Sequence, residues 1–293
     1  MLVAALVAVL GACSADVDVA SQTTTSASAS ARDWATLAGK AFQPLASSAQ
    51  EVPGAVRAWL DGELTGAALR EKLNPALADA AETELRVRAL PDAPAKSFYL
   101  ASAELHVQQV RILLRGVDIA HGDAREQVAL LGLRVRKLGD RVFDRGHALI
   151  DPSFGADAPD VQINLPEEVP DWESEGLAPG PPFDDEPGLA ASSPALRADT
   201  RPMQPEVDWL LAVEAAGAPN RIDFDGDFAA QARAYVAATE ALRNAPDPDV
   251  PGGRERSAVL RLSWLVKADA ARAAQAGFVD IAHNLDAIKI ASP

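Results

Sequence analysis

From Val107 to Leu149 the chain carries one uninterrupted seam that few folds accommodate. The positions are Val107, Val110, Leu114, Val117, His121, Ala124, Val128, Leu131, Val135, Leu138, Val142, Arg145 and Leu149. They alternate strictly in steps of three and four, and only His121 and Arg145 are not apolar. Such spacing lines up one side of an α-helix in the manner of a coiled-coil seam. Two structures satisfy it. One is a single helix from about Ser97 to Ile150, ~80 Å long at 1.5 Å per residue. The other is a helical hairpin turning at Gly122-Asp123. The unbroken phase favours the single helix, because a turn rarely preserves register. The cost of a mid-helix glycine, ~1 kcal/mol relative to alanine, favours the turn at Gly122. We take the single helix, kinked at Gly122, as the expectation and keep the hairpin as its alternative. Either can close its seam inside the chain or against a second copy, as a homo-oligomer.

Gly132, Gly139 and Gly146 recur every seven residues, each just after a seam position. Glycine disfavours a helix interior, so a gain must offset it. The expected gain is close approach of another helix along this stripe.

The rest of the chain also reads as helical. Aromatics make up 5% of it, and alternating strand-like runs are scarce. That pattern predicts an all-α helical bundle. A first helix is expected from about Arg32 to Ser47, with Trp34, Leu37, Ala38, Ala41 and Leu45 on its apolar face. A short one follows from Pro53, and another covers Gly66 to Leu90, broken or kinked at Asn74-Pro75. C-terminal helices are expected over 206–216, 228–242 and 254–288, the last bending at Gly277. Three helices make a thin core alone, so residues 205–293 should pack on residues 32–150.

Net charge is −15, but it is not spread evenly. Residues 31–150 carry 16 basic and 15 acidic groups, whereas residues 151–196 carry 11 acidic groups and no basic one. Ten prolines fall between Pro152 and Pro202. Residues 151–204 therefore read as an acidic, proline-rich linker or long loop. With no basic surplus to displace counterions, nucleic acid is not an expected partner.

The N-terminus carries the one recognisable address. Leu2 to Leu10 is an apolar run, and it ends at Leu10-Gly11-Ala12-Cys13 with the chain's single cysteine. Small residues before the cysteine give a peptidase access to the backbone. This segment resembles the signal peptide and lipobox of bacterial lipoproteins. The resemblance implies a signal peptide over 1–12, a diacylglycerol on Cys13 and a folded part outside the cytoplasm, anchored to the cytoplasmic or outer membrane. The run is too short to span a bilayer, which takes ~20 residues. The first basic residue is Arg32, so a basic n-region would lie upstream of Met1. Residues 13–31, rich in Ser, Thr and Ala, read as a flexible tether of ~20–25 Å root-mean-square reach. Two or three lipid chains anchor stably where one does not.

Few constellations carry chemistry. Val117-Asp118-Ile119-Ala120-His121 recurs as Val279-Asp280-Ile281-Ala282-His283. Asp118/His121 and Asp280/His283 thus stand at i,i+3 on helix faces. The arrangement resembles the Glu-x-x-His pairs of ferritin-like di-metal bundles, with Glu71 and Glu214 as candidate further ligands. Asp223-Phe-Asp225-Gly-Asp227 resembles the start of an EF-hand loop, but Phe228 and Ala234 replace its glycine and its glutamate. We read Asp227 instead as a helix cap. Arg134, Arg136, Lys137, Arg141 and Arg145 place five basic groups within twelve residues. They suit solvent, or a salt-sensitive dock for the acidic segment over 157–186. Trp172, set among acids, is a candidate anchor for an envelope protein partner.

No nucleophile elbow, P-loop, dinucleotide fingerprint or His-Glu-x-x-His motif occurs. His106 and His147 have no partner that the sequence reveals. No cofactor is expected. The leading expectation is a non-enzymatic envelope lipoprotein with a scaffolding or binding role. A metal-binding bundle and an enzyme assembled from separate helices are the alternatives.

Overall fold

The computed structural model describes residues 22–119, 123–150, 218–245 and 253–290. Every regular element among them is an α-helix: α1 Gln22–Ser48, α2 Glu51–Leu60, α3 Gly66–Arg88, α4 Lys96–Ile119, α5 Asp123–Ala148, α6 Phe228–Asn244, α7 Gly253–Gln275 and α8 Val279–Ala287. The expected helix over 206–216 and the linker over 151–204 lie outside the described residues.

The segment from 97 to 150 is not a single helix. Helices α4 and α5 lie antiparallel against one another as a hairpin. Apart from Val128, which packs on Gly116, the seam is not where the two helices meet. On α4, Val107 joins a core with α1 and α3, and Val110 joins one with α2 and α3. On α5, Val128, Leu131, Val135, Leu138 and Val142 point into a third core with α6, α7 and α8. Register survives the turn, while the two halves of the seam serve opposite sides of the bundle.

The hairpin itself closes through the glycines. A Cβ on Gly132 would stand 2.7 Å from Leu113 Cδ2, and one on Gly139 would stand 3.1 Å from the His106 ring. On Gly146 it would lie 2.8 Å from Phe98 Cβ and 2.9 Å from Tyr99 Cδ2. Gly116 of α4 does the same for Val128 near the hairpin tip. Close backbone approach thus offsets the poor helix propensity of glycine. Gly146→Ala should destabilise the fold by about 1–2 kcal/mol, because the Cβ of Phe98 is fixed to backbone and cannot swing aside. Gly54→Ala, exposed with nothing within 4 Å of the new Cβ, should stabilise it by about 0.5–1 kcal/mol. Urea unfolding of both variants checks the opposite signs.

The hairpin is the central layer. Helices α1–α3 cover one side and α6–α8 the other, and α4 and α5 share a core with α6–α8. Helix α1 is fastened by rings. Trp34 and Phe42 pack edge-on against Tyr99 at 5.2 and 5.5 Å between centroids, and Phe143 meets both Phe42 and Tyr99. Trp34 Nε1 also donates to the Pro91 carbonyl at 3.0 Å. The helix starts at Gln22, ten residues before the expected start at Arg32.

Two prolines sit inside helices, each for a local reason. Pro44 offers no N–H to the Lys40 carbonyl one turn earlier. Arg86 Nη1 from α3 supplies the missing donor at 3.3 Å. Pro75 does not end α3, so of the break or kink expected at Asn74-Pro75 the break is absent. It is exposed there, as are Asn74 and Glu71, so water can take the freed Glu71 carbonyl. Leu37, expected on the apolar face of the first helix, is solvent-exposed instead, as is Leu85 of α3.

Gly277 does more than bend the last helical stretch. Its φ of +86° ends α7. Phe278 N–H donates to Ala273 O at 2.8 Å and Gly277 N–H to Ala274 O at 2.9 Å, the two bonds of a Schellman cap. Phe278 is buried immediately beyond, and α8 then folds back on α7. Lys267 and Asp286 tie the two helices at 2.7 Å.

Candidate functional site

The polar groups that matter lie where helices meet. The first cluster sits between α1, α4 and α5. His106 projects from α4 and Asp140 from α5, both almost wholly buried. His106 Nε2 lies 3.3 Å from Asp140 Oδ1, and His106 Nδ1 lies 3.2 Å from Gln109 Oε1. Arg136, one turn before Asp140, brings Nε to 3.6 Å from Asp140 Oδ2 and donates through Nη1 to the Ala49 carbonyl at the end of α1. Ser102 stands one turn before His106 and is fully buried.

Serine, histidine and aspartate together invite a comparison with a nucleophilic triad. A triad needs the serine hydroxyl on one ring nitrogen and the carboxylate on the other. Here Asp140 and Gln109 face the two nitrogens, so His106 is not placed to act as a base toward Ser102. The cluster binds three helices to one another around a buried charge.

The second cluster joins the hairpin to the C-terminal helices. Asp269 of α7 is fully buried. Its Oδ1 receives Arg134 Nε from α5 at 3.0 Å and Arg272 Nη1 from one turn along α7 at 2.5 Å. Burial, with Arg134 adding to it, pulls the Arg272 guanidinium down to about 10. Beside the first cluster, the Asp144 carboxyl is pushed up to about 7, chiefly by burial and then by the Asp140 charge. Burial likewise raises the Tyr99 hydroxyl, which pairs with His147 Nδ1 at 2.8 Å.

The five basic groups of α5 do not form one face. Arg136 turns inward to Asp140 and Ala49, whereas Arg134 turns to Asp269. Lys137, Arg141 and Arg145 are half-buried and each is engaged by other groups. Trp172 and Cys13 lie outside the described residues.

The two Asp-x-x-His pairs are not brought to a common centre by their described members. Asp118 pairs with Arg70 of α3. Asp280 pairs with Arg115 of α4 at 2.9 Å. His283 is exposed and stacks on Phe224, with 3.8 Å between ring centroids. Glu71 is exposed on α3. His121 and Glu214 lie outside the described residues. Among the described residues no group of three or more His, Cys, Asp or Glu side chains is arranged to hold a metal ion.

The Asp223–Asp227 segment behaves as a capped helix start. Asp227 Oδ1 accepts from Ala230 N–H at 3.1 Å, which caps α6 as expected. Asp223 Oδ1 accepts from Asp225 N–H, and the Gln231 side chain bonds both backbone groups of Asp223 at 2.7 Å.

Sequence reasoning missed the buried roles of His106, Arg136, Asp140 and Asp269. One signal was present. Ser102, His106 and Gln109 share a face of an otherwise apolar helix, and Arg136 and Asp140 stand at i,i+4.

Comparison with known proteins finds no matching family model, no similar curated protein and no similar solved structure. Among the described residues, fold and site together define an all-α protein with charged groups buried at its helix junctions.

Proposed function

We propose that this chain is a lipid-anchored helical protein of the bacterial cell envelope, holding or binding a partner there without turning over a substrate. The observation that carries the reading is the apolar run ending in Leu10-Gly11-Ala12-Cys13 with the single cysteine of the chain. The helical body agrees with it. Asp140, Asp269 and His106 are engaged in helix-to-helix contacts, and the Arg272 guanidinium pairs with Asp269 within α7. Among the described residues, no helix is long and apolar enough to cross a membrane, so a lipid on Cys13 would be the membrane attachment.

Lipidation is tested by expressing the full chain in a bacterial host and separating membrane from soluble fractions. The wild-type chain should enter the membrane and detergent phases, carry a fatty-acid label and lose residues 1–12. Cys13→Ser should abolish the label and the cleavage. Equal partitioning of the two proteins, with no label on either, would refute the anchor.

A further inference from the structure

We infer that the junction of α1, α4 and α5 is a binding site for one ordered water molecule, held between Ser102 and Asp140. A small cavity opens there, leaving about 10 Å³ to the centre of a water molecule. That is about the least volume that one buried water occupies. The α1 wall is apolar, with Phe42, Leu45 and Ala49, and the opposite wall bears Ser102, His106 and Asp140.

Three polar groups converge on this space. The Ser102 hydroxyl is fully buried and has no hydrogen-bond partner among the described residues. Helix hydroxyls of this chain fall into two groups: Thr83 and Ser257 are buried and unpartnered like Ser102, whereas two others bond back to the helix. Thr239 donates to Tyr235 O at 2.9 Å and Ser263 to Val259 O at 3.0 Å, each one turn back. Ser102 makes no such bond. Asp140 Oδ1 is equally enclosed and lacks a hydrogen bond, because His106 Nε2 reaches it at 3.3 Å without alignment. A buried carboxylate oxygen and a buried hydroxyl left unpaired are each costly. Water supplies what both lack. It donates to Asp140 Oδ1, and it donates to or accepts from Ser102 Oγ. His106 lines the same space. Buried waters take two to four such partners.

The site has a structural consequence for α1. That helix brings only apolar side chains to the junction, apart from the Ala49 carbonyl that receives Arg136. A bound water lets it lie over a buried charge without contributing a polar side chain.

The test is a high-resolution crystal structure of the wild-type protein, with water-proton relaxation dispersion measured on the wild type and on Ser102→Val. Density for one water within hydrogen-bond distance of Ser102 Oγ and Asp140 Oδ1 is the expected result. Relaxation should count one long-lived water fewer in Ser102→Val, whose added methyls fill the space. An ordered but dry junction, with Ser102 donating to Phe98 O, would overturn the inference. So would equal numbers of long-lived waters in two folded proteins. If Ser102→Val fails to fold, the wild-type crystal structure decides alone.

Discussion

Asp269→Ala is expected to remove about 3–5 kcal/mol of folding free energy, the range typical of breaking a buried ion pair from one side. The carboxylate is the point on which Arg134 and Arg272 converge, and it is fully buried. Removing it leaves two guanidiniums facing each other, one of them already depressed to about 10 by burial and by its neighbour. The cost is therefore mostly that of two like charges left close together in a buried site, and less that of a lost contact. Combining Asp269→Ala with Arg272→Met should recover much of the loss, because apolar packing can replace a buried ion pair. Urea denaturation of the single and double variants measures both terms. A single-variant loss below about 1 kcal/mol would show that the junction is far wetter than its burial indicates.

Asp144→Asn is expected to act in the opposite direction and to depend on pH. The Asp144 carboxyl is pushed up from 3.8 to about 7, first by burial and then by Asp140 one turn earlier, against the pull of Arg141 and Arg145. Its raised value means that the folded chain binds a proton which the unfolded chain has already released. Stability from this group is thus greatest below pH 3.8, falls as pH rises to about 7, and is level above that. Asparagine cannot ionise and escapes the penalty. The variant should exceed the wild type by on the order of 2–4 kcal/mol in mildly alkaline buffer and match it near pH 4. Stability curves running parallel between pH 4 and 8 would refute this. Comparing differences between the two proteins cancels the other titrating groups.

How far the sequence discloses this molecule differs from feature to feature. The helical class and the glycine contacts follow from local pattern, because a helix face repeats within a few residues. Gly132, Gly139 and Gly146 could be read as a line of close approach before any partner was known. The hairpin was harder. Phase across Gly122 is preserved, and preserved phase ordinarily argues against a turn. It misleads here because Val107 and Val135 need not touch the same neighbour. They point to opposite sides of the bundle, so equal spacing arises without a common partner. At Pro75 a break is not required, because an exposed proline can leave its orphaned carbonyl to water and the helix runs on through it.

The polar clusters were scarcely visible. Asp269 stands 135 residues from Arg134, and Asp140 stands 34 from His106. No local rule joins them. Arg136 was especially opaque, since a basic residue within a basic run suggests solvent. Its burial depends on a backbone carbonyl, Ala49 O, that sequence does not mark.

The early start of α1 has a consequence for geography. With Trp34 and Phe42 locked among the rings of α4 and α5, the front of the body is fixed to the helix that leads back toward Cys13. Only residues 14–21 separate Cys13 from Gln22, and eight residues span at most ~28 Å. A lipid on Cys13 would then moor the molecule on a short line. The end of the bundle bearing Trp34 and Pro91 would lie toward the bilayer, and the surface open to encounters would occupy a shallow layer beside it. With that lipid in place, partners would be sought there, among molecules already resident at the membrane face.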